Sequence, residues 1–285
     1  MSLKLTSTGK EYSSHQMTIS LFNLLEGKQV GGGNRKIGLG VMGFADMLIR
    51  LGISYDSDEA VKMAEQTMRV IADEAFKASQ ELAKERGVFP NWKGSIYNTR
   101  GVKIRNATRT AIAPTGTISI IAGTSASIEP LFALAYRRTH VLNDQTLYEI
   151  NPLFCEYLEK YELSAEEIVH EVLEKGTLKE VEAAPHELKQ LFVTALEIPA
   201  ERHLQIQAAF QRYVDNSVSK TINLPFDSTP QDVAKVYWQA WKFGLKGTTI
   251  YRYGSKSAQV LELGVGEEPH HYDHGSKCDP EECKV

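Results

Sequence analysis

The stretch Arg109-Thr-Ala-Ile-Ala-Pro-Thr-Gly-Thr-Ile-Ser119 reads as a strand that ends in a turn and opens a helix. Thr110–Ala113 is a short apolar run. Pro114 cannot continue a sheet ladder, and Thr115, Gly116, Thr117 and Ser119 lead into Ile120, Ile121 and Ala122. Small hydroxyl residues around a glycine at a helix start offer backbone N–H and side-chain O–H groups to an anion, and a phosphate fits such a place. An ordinary helix cap uses the same residue types, so spacing alone leaves both readings standing.

Further candidate strands are Leu131–Ala135, Ser219–Leu224 and Thr248–Tyr251. Helices lie between them. The clearest is predicted over Ser57–Arg86, with Val61, Ala64, Met68, Ile71, Ala75, Ala78 and Leu82 on one face. Asp56 with Glu59 reads as its capping box and Gly87 as its stop. Asn151-Pro152 and Thr229-Pro230 each read as a cap followed by a first-turn proline; the second opens a helix ending at Gly244. Another helix is expected over His203–Val214. Strands interleaved with helices predict an α/β fold with parallel strands, either a sheet or a barrel. Ligands in such folds sit at the C-terminal ends of the strands.

The 285 residues are 42% hydrophobic and 24% charged, ordinary values for a globular chain and incompatible with a disordered or collagen-like one. A formal net charge of −4 gives no basic excess, which argues against electrostatic binding of nucleic acid. No apolar run is long enough to span a bilayer, so no membrane partner is expected. The opening Met1-Ser-Leu-Lys-Leu-Thr-Ser7 lacks a secretory apolar core, which predicts a cytoplasmic chain. Gly31-Gly32-Gly33 reads as a flexible joint after a weakly patterned leader.

Two further places carry candidate chemistry. Gly38-Leu-Gly40-Val-Met-Gly43 matches G-x-G-x-x-G, the signature of a nicotinamide dinucleotide site. The charged, glycine-rich stretch before it makes a poor strand, and Asp58 and Glu59 open a helix where an acid should end a strand. Glycines allowing close helix packing at a tight turn is the favoured reading. The other place is the tail, with His270, His271, His274, Cys278 and Cys283. Its thiols suit a dithiol/disulfide couple on a swinging arm, a metal site with two imidazoles, or no function at all. The redox reading is preferred, since the cysteines are spaced more widely than in a zinc knuckle. The third cysteine, Cys155, falls early in the helix opened by Asn151-Pro152 and is expected to be buried.

Five segments in order resemble the C-terminal part of a ribonucleotide reductase large (catalytic) chain. They are Asn34–Leu48, Ala113–Ser119 with Ser127-Ile-Glu-Pro130, Val214–Asn223, Gly247–Ser255 and Lys277–Cys283. The resemblance implies the second half of a ten-stranded α/β barrel over 34–254, a leader over 1–33 and a mobile tail over 255–285. It implies that Pro114, Thr115, Gly116, Thr117 and Ser119 cradle the phosphates of a ribonucleotide substrate. It further implies that Cys278 and Cys283 re-reduce the active-site disulfide and are themselves served by a thioredoxin-like dithiol reductant. Iron-dependent members relay a radical through two adjacent tyrosines near the last barrel strand. Here Arg252 follows Tyr251, and the wording is closer to the adenosylcobalamin-dependent class.

The family's radical-bearing cysteine belongs to the first half of the barrel, and Cys155 does not match its motif. The resemblance therefore implies an N-terminal reductase half as partner and no turnover by this chain alone. A half-barrel also exposes two sheet edges, which predicts a homo-oligomer unless a partner covers them. The alternatives are a non-catalytic nucleotide- or partner-binding remnant and, behind it, an NAD-dependent dehydrogenase.

Overall fold

The structure, a computed structural model, describes residues 31–141 and 145–255. They pack as two units, Leu134–Ala184 forming one and the flanking segments the other.

The larger unit begins with residues 31–34 in helical conformation, where an open joint was expected. Ile37–Leu39 then runs extended beside Thr108–Ala111. The Ile37 and Leu39 amides donate to the carbonyls of Thr108 (3.0 Å) and Arg109 (2.7 Å). Helix α1 spans Phe44–Arg50 and α2 spans Asp58–Arg86. The cap of α2 is Ser57, whose hydroxyl accepts from the Ala60 amide at 3.1 Å; Asp56, expected in that role, instead pairs with Arg202 at 3.2 Å. The buried stripe of α2 is Ala60, Ala64, Met68, Ser79 and Ala83, so only two of the expected apolar positions are fully covered. Gly87 stops the helix at φ 75°. A 3₁₀ turn at Pro90–Gly94, the short α3 at Ile96–Thr99 and α4 at Gly116–Ala122 complete this segment.

The smaller unit is an antiparallel pair, β1 at Ala135–Val141 and β2 at Gln145–Ile150, followed by α5 at Pro152–Lys160 and α6 at Ala165–Lys175. The expected strand Leu131–Ala135 is therefore split: Leu131 bridges Thr194 in parallel, and Ala135 opens the hairpin. Asn151 caps α5 by accepting from the Phe154 amide at 3.1 Å, as the Asn-Pro signal requires. Leu153, Phe154, Leu158, Ile168 and Val172 make this unit's core. Cys155, expected to be buried, is half-exposed with a free thiol, because Leu153, Phe154 and Leu158 take the covered face of α5.

Returning to the larger unit, α7 spans His186–Leu191 and α8 spans Ala200–Gln211, three residues earlier than expected. Strand β3 (Thr221–Leu224), helix α9 (Pro230–Lys242) and strand β4 (Thr249–Arg252) follow. The two strands pair in parallel through a helical crossover, the connection parallel strands require. Leu204, Ile222, Leu224, Val236 and Ala240 form the core between α8, β3 and α9. Each such side chain contributes about 1.5–3 kcal/mol of burial where it is Leu, Ile or Val. The outer face of α9 carries Trp238 and Trp241 stacked at 4.9 Å, 56% and 68% exposed.

Helix α8 is covered on several sides, and its buried polar groups serve neighbouring backbone. The Gln207 amide nitrogen donates to the carbonyls of Val218 (3.2 Å) and Gly247 (2.7 Å), stitching the approaches to β3 and β4 together. Gln211 donates to the carbonyls of Val214 (3.2 Å) and Asn216 (2.9 Å).

Candidate functional site

The parallel ladder sets the position of the Pro114–Ser119 loop. The Ile112 amide donates to the Ser217 carbonyl and the Ser219 amide to the Ile112 carbonyl, at 3.2 and 2.9 Å. Two residues on, Pro114 has no N–H to continue, and the chain leaves the sheet at the C-terminal end of its strand. Thr115 takes the left-handed conformation (φ 53°, ψ 21°), and α4 begins at Gly116 with no side chain capping it. The ordinary-cap alternative is thus not what forms. The first-turn amides of a helix have no intrahelical acceptor, and here no cap supplies one.

Pro114, Gly116 and Thr117 are exposed and Thr115 half-buried. Thr115 Oγ1 accepts from the Ser127 amide at 2.7 Å, leaving its own proton to donate. Ser119 is buried, and its hydroxyl donates to the Gly116 carbonyl at 3.1 Å, so it braces the turn from inside. Beyond the turn Ile118, Ile120 and Ile121 are exposed.

The segment returning from α4 is tied at several points. Thr124 Oγ1 and the Ser125 amide both donate to Asp46 Oδ2 at 2.8 Å. The Tyr55 hydroxyl donates to the Ile128 carbonyl at 2.6 Å, and burial drives its pKa well up. Glu129 then reaches β3, accepting from the Thr221 amide (2.7 Å) and from Lys220 Nζ (2.5 Å). The Lys220 side chain is fully buried, and its other donors meet the Thr221 carbonyl at 2.5 Å and His203 Nδ1 at 2.9 Å. His203 Nε2 lies 3.0 Å from the Ala195 carbonyl, which makes it the donor there and leaves Nδ1 to accept. Burial, then the Lys220 charge, pull the His203 pKa down to about 3. Burial also lowers the Lys220 pKa, opposed by Glu129. Sequence reasoning placed Ser127–Glu129 within a resembling segment but gave Glu129, Lys220 and His203 no role.

The three glycines of the G-x-G-x-x-G match are structural. A side chain on Gly38 would meet Ala111 Cβ at 2.8 Å, and one on Gly40 would run into the Ala111 carbonyl. Gly43 caps α1 at φ 77° against the Thr124 hydroxyl. The close approach is between neighbouring extended segments rather than between helices. The pairing begins at the motif itself, with the Ile37 amide on the Thr108 carbonyl and Leu39 bridging Thr110 in parallel, while the poor strand before it is helical over residues 31–34. A separate open cleft of about 600 Å³, lined in part by Asn34, Lys36, Asn91, Lys93 and Tyr97, contains none of the predicted site residues. The tail residues His270, His271, His274, Cys278 and Cys283 lie outside the described residues.

The family profile described as the ribonucleotide reductase barrel domain matches residues 16–104 and 98–251. The chain belongs to this family. The chain is 54% identical to a vitamin B12-dependent ribonucleoside-diphosphate reductase of Thermoplasma acidophilum, over 84% of this chain and 31% of that protein. It is 47% identical to the protein of the same description from Mycobacterium tuberculosis, over 81% and 32%. Among solved structures it resembles the class Id ribonucleotide reductase alpha subunit of Actinobacillus ureae with a TM-score of 0.67 and 29% identity, covering 80% of this chain and 41% of that one. The chain thus spans about a third of the length of these curated relatives. No described helix is long and apolar enough to cross a membrane.

Proposed function

We propose that this chain is the C-terminal part of an adenosylcobalamin-dependent ribonucleotide reductase. Its loop Pro114–Ser119 holds the phosphates of the ribonucleotide, and its tail dithiol returns the active site to the reduced state. The observation that carries the phosphate role is the uncapped, solvent-facing turn at Thr115–Thr117, held where a parallel strand ends. Gly116 and Thr117 present first-turn amides, Thr115 and Thr117 add hydroxyl donors, and Ser119 fixes the turn from behind.

Adenosylcobalamin is supported by the names of the Thermoplasma acidophilum and Mycobacterium tuberculosis relatives, both vitamin B12-dependent reductases. Bound, it supplies a radical by homolysis of its cobalt–carbon bond. Among the described residues no group of three or more His, Cys, Asp or Glu side chains could hold a free metal ion. The steps assigned to this chain are substrate binding and thiol delivery. The Cys278 and Cys283 thiols give two electrons and two protons to the active-site disulfide and become a disulfide themselves. A thioredoxin-like dithiol then restores them by the same exchange. The radical cysteine comes from an N-terminal reductase portion.

Gly116→Val tests the phosphate role in enzyme assembled with that portion. The space around Gly116 is open, so the chain should fold as before. The KM for ribonucleotide should rise about tenfold or more, with kcat changing less. An unchanged KM removes the loop from substrate binding.

A further inference from the structure

We propose that Glu129 and Lys220 form a clamp that positions the Pro114–Ser119 loop, a positioning role for two residues that touch no substrate. The inference rests on the reading of that loop as the phosphate cradle.

Register carries the argument. Along the parallel ladder Ile112 exchanges hydrogen bonds with Ser217 and Ser219. The next amide of that strand to face the neighbour is that of Thr221, whose acceptor in a continued ladder would be the carbonyl of residue 114. Pro114 ends the ladder, and Glu129 Oε1 takes the Thr221 amide in its place at 2.7 Å. A side-chain carboxylate thus occupies the position vacated by the departing strand. The loop leaves the sheet beside Val218 and is brought back within three residues of it, at Lys220 and Thr221.

Lys220 makes this anchorage directional. All three of its ammonium donors are used, on Glu129, Thr221 and His203, and its side chain is wholly covered. The carboxylate is therefore held in one orientation. Inside the loop, the Ser127 amide, two residues before Glu129, donates to Thr115 Oγ1 at 2.7 Å. A displacement of Glu129 is passed through one short segment to Thr115, the residue just before α4.

Hydrogen exchange of the purified chain, followed by mass spectrometry, tests the clamp. Glu129→Ala should speed exchange across residues 113–130 about tenfold while α2 keeps its wild-type rate. Glu129→Gln, which keeps an oxygen for the Thr221 amide, should restore most of the protection. If Glu129→Ala does not fold, the double variant Glu129→Leu/Lys220→Met replaces the pair by apolar groups of similar size, an exchange buried ion pairs often tolerate. It should fold and still show the fast loop. Calorimetric titration with pyrophosphate should show binding about tenfold weaker in the same variant. Exchange in the loop equal to wild type, or a rise spread evenly over the whole chain, overturns the clamp. Wild-type chain that takes up no pyrophosphate overturns the cradle reading instead, and the exchange rates still decide the clamp.

Discussion

His203 is an imidazole kept neutral first by its burial and then by the Lys220 ammonium at Nδ1, with the Ala195 carbonyl at Nε2 working the other way. Its pKa is lowered from 6.5 to about 3, so the unfolded chain binds a proton that the folded chain refuses between those values. Stability from this group is complete above pH 6.5 and is lost as pH falls toward 3, at up to about 1.4 kcal/mol per pH unit. Urea midpoints measured from pH 7 to pH 4 should fall, and His203→Gln should flatten the fall. Glycine positions separate in the same way by what surrounds them. Gly40→Ala drives a Cβ into the Ala111 backbone carbonyl and should cost about 3 kcal/mol in urea unfolding. Gly52→Ala meets open space and suffers only its φ of +73°, so about 1 kcal/mol is expected. The glycine reading was available in the sequence as a turn without a nucleotide. Its partner Ala111 was not, because a close approach across about seventy residues leaves no local pattern.

Among the elements, α9 shows how much a cap decides. Thr229 Oγ1 accepts from the Asp232 amide at 3.3 Å, and Asp232 Oδ2 accepts from the Thr229 amide at 2.9 Å. Thr229→Ala removes the hydroxyl and should lower stability by about 1 kcal/mol, read as a shift of the thermal midpoint. Such helix starts were legible because every participating group lies within four residues. The Thr229-Pro230 and Asn151-Pro152 signals land on the observed first turns. At α2 the cap slid by one, since Asp56 is drawn off by Arg202, a partner 146 residues away. The β1–β2 hairpin was missed because Tyr136-Arg137-Arg138 and Leu147-Tyr148 break the apolar–polar alternation that marks a strand. The Pro114–Ser119 stretch was readable as a strand end turning into a helix, whereas the Glu129–Lys220 ion pair spans 91 positions and had no sequence signature.

For the whole molecule, a chain spanning about a third of its relatives is expected to bind but not to turn over. Assay of the isolated chain with ribonucleotide, adenosylcobalamin and a dithiol should yield no deoxyribonucleotide, and adding the N-terminal reductase portion should restore product. In that reconstituted enzyme, Cys278→Ser with Cys283→Ser should leave one round of reduction intact and stop repeated rounds driven by a thioredoxin-like protein. Sustained turnover would remove the tail from the redox cycle. The α9 surface carries an optical signature of its own. Two indoles at 4.9 Å and 28° are coupled chromophores, so their excited states split and produce a paired positive and negative band in circular dichroism. The chain carries its own optical gauge of that helix, readable without any attached dye.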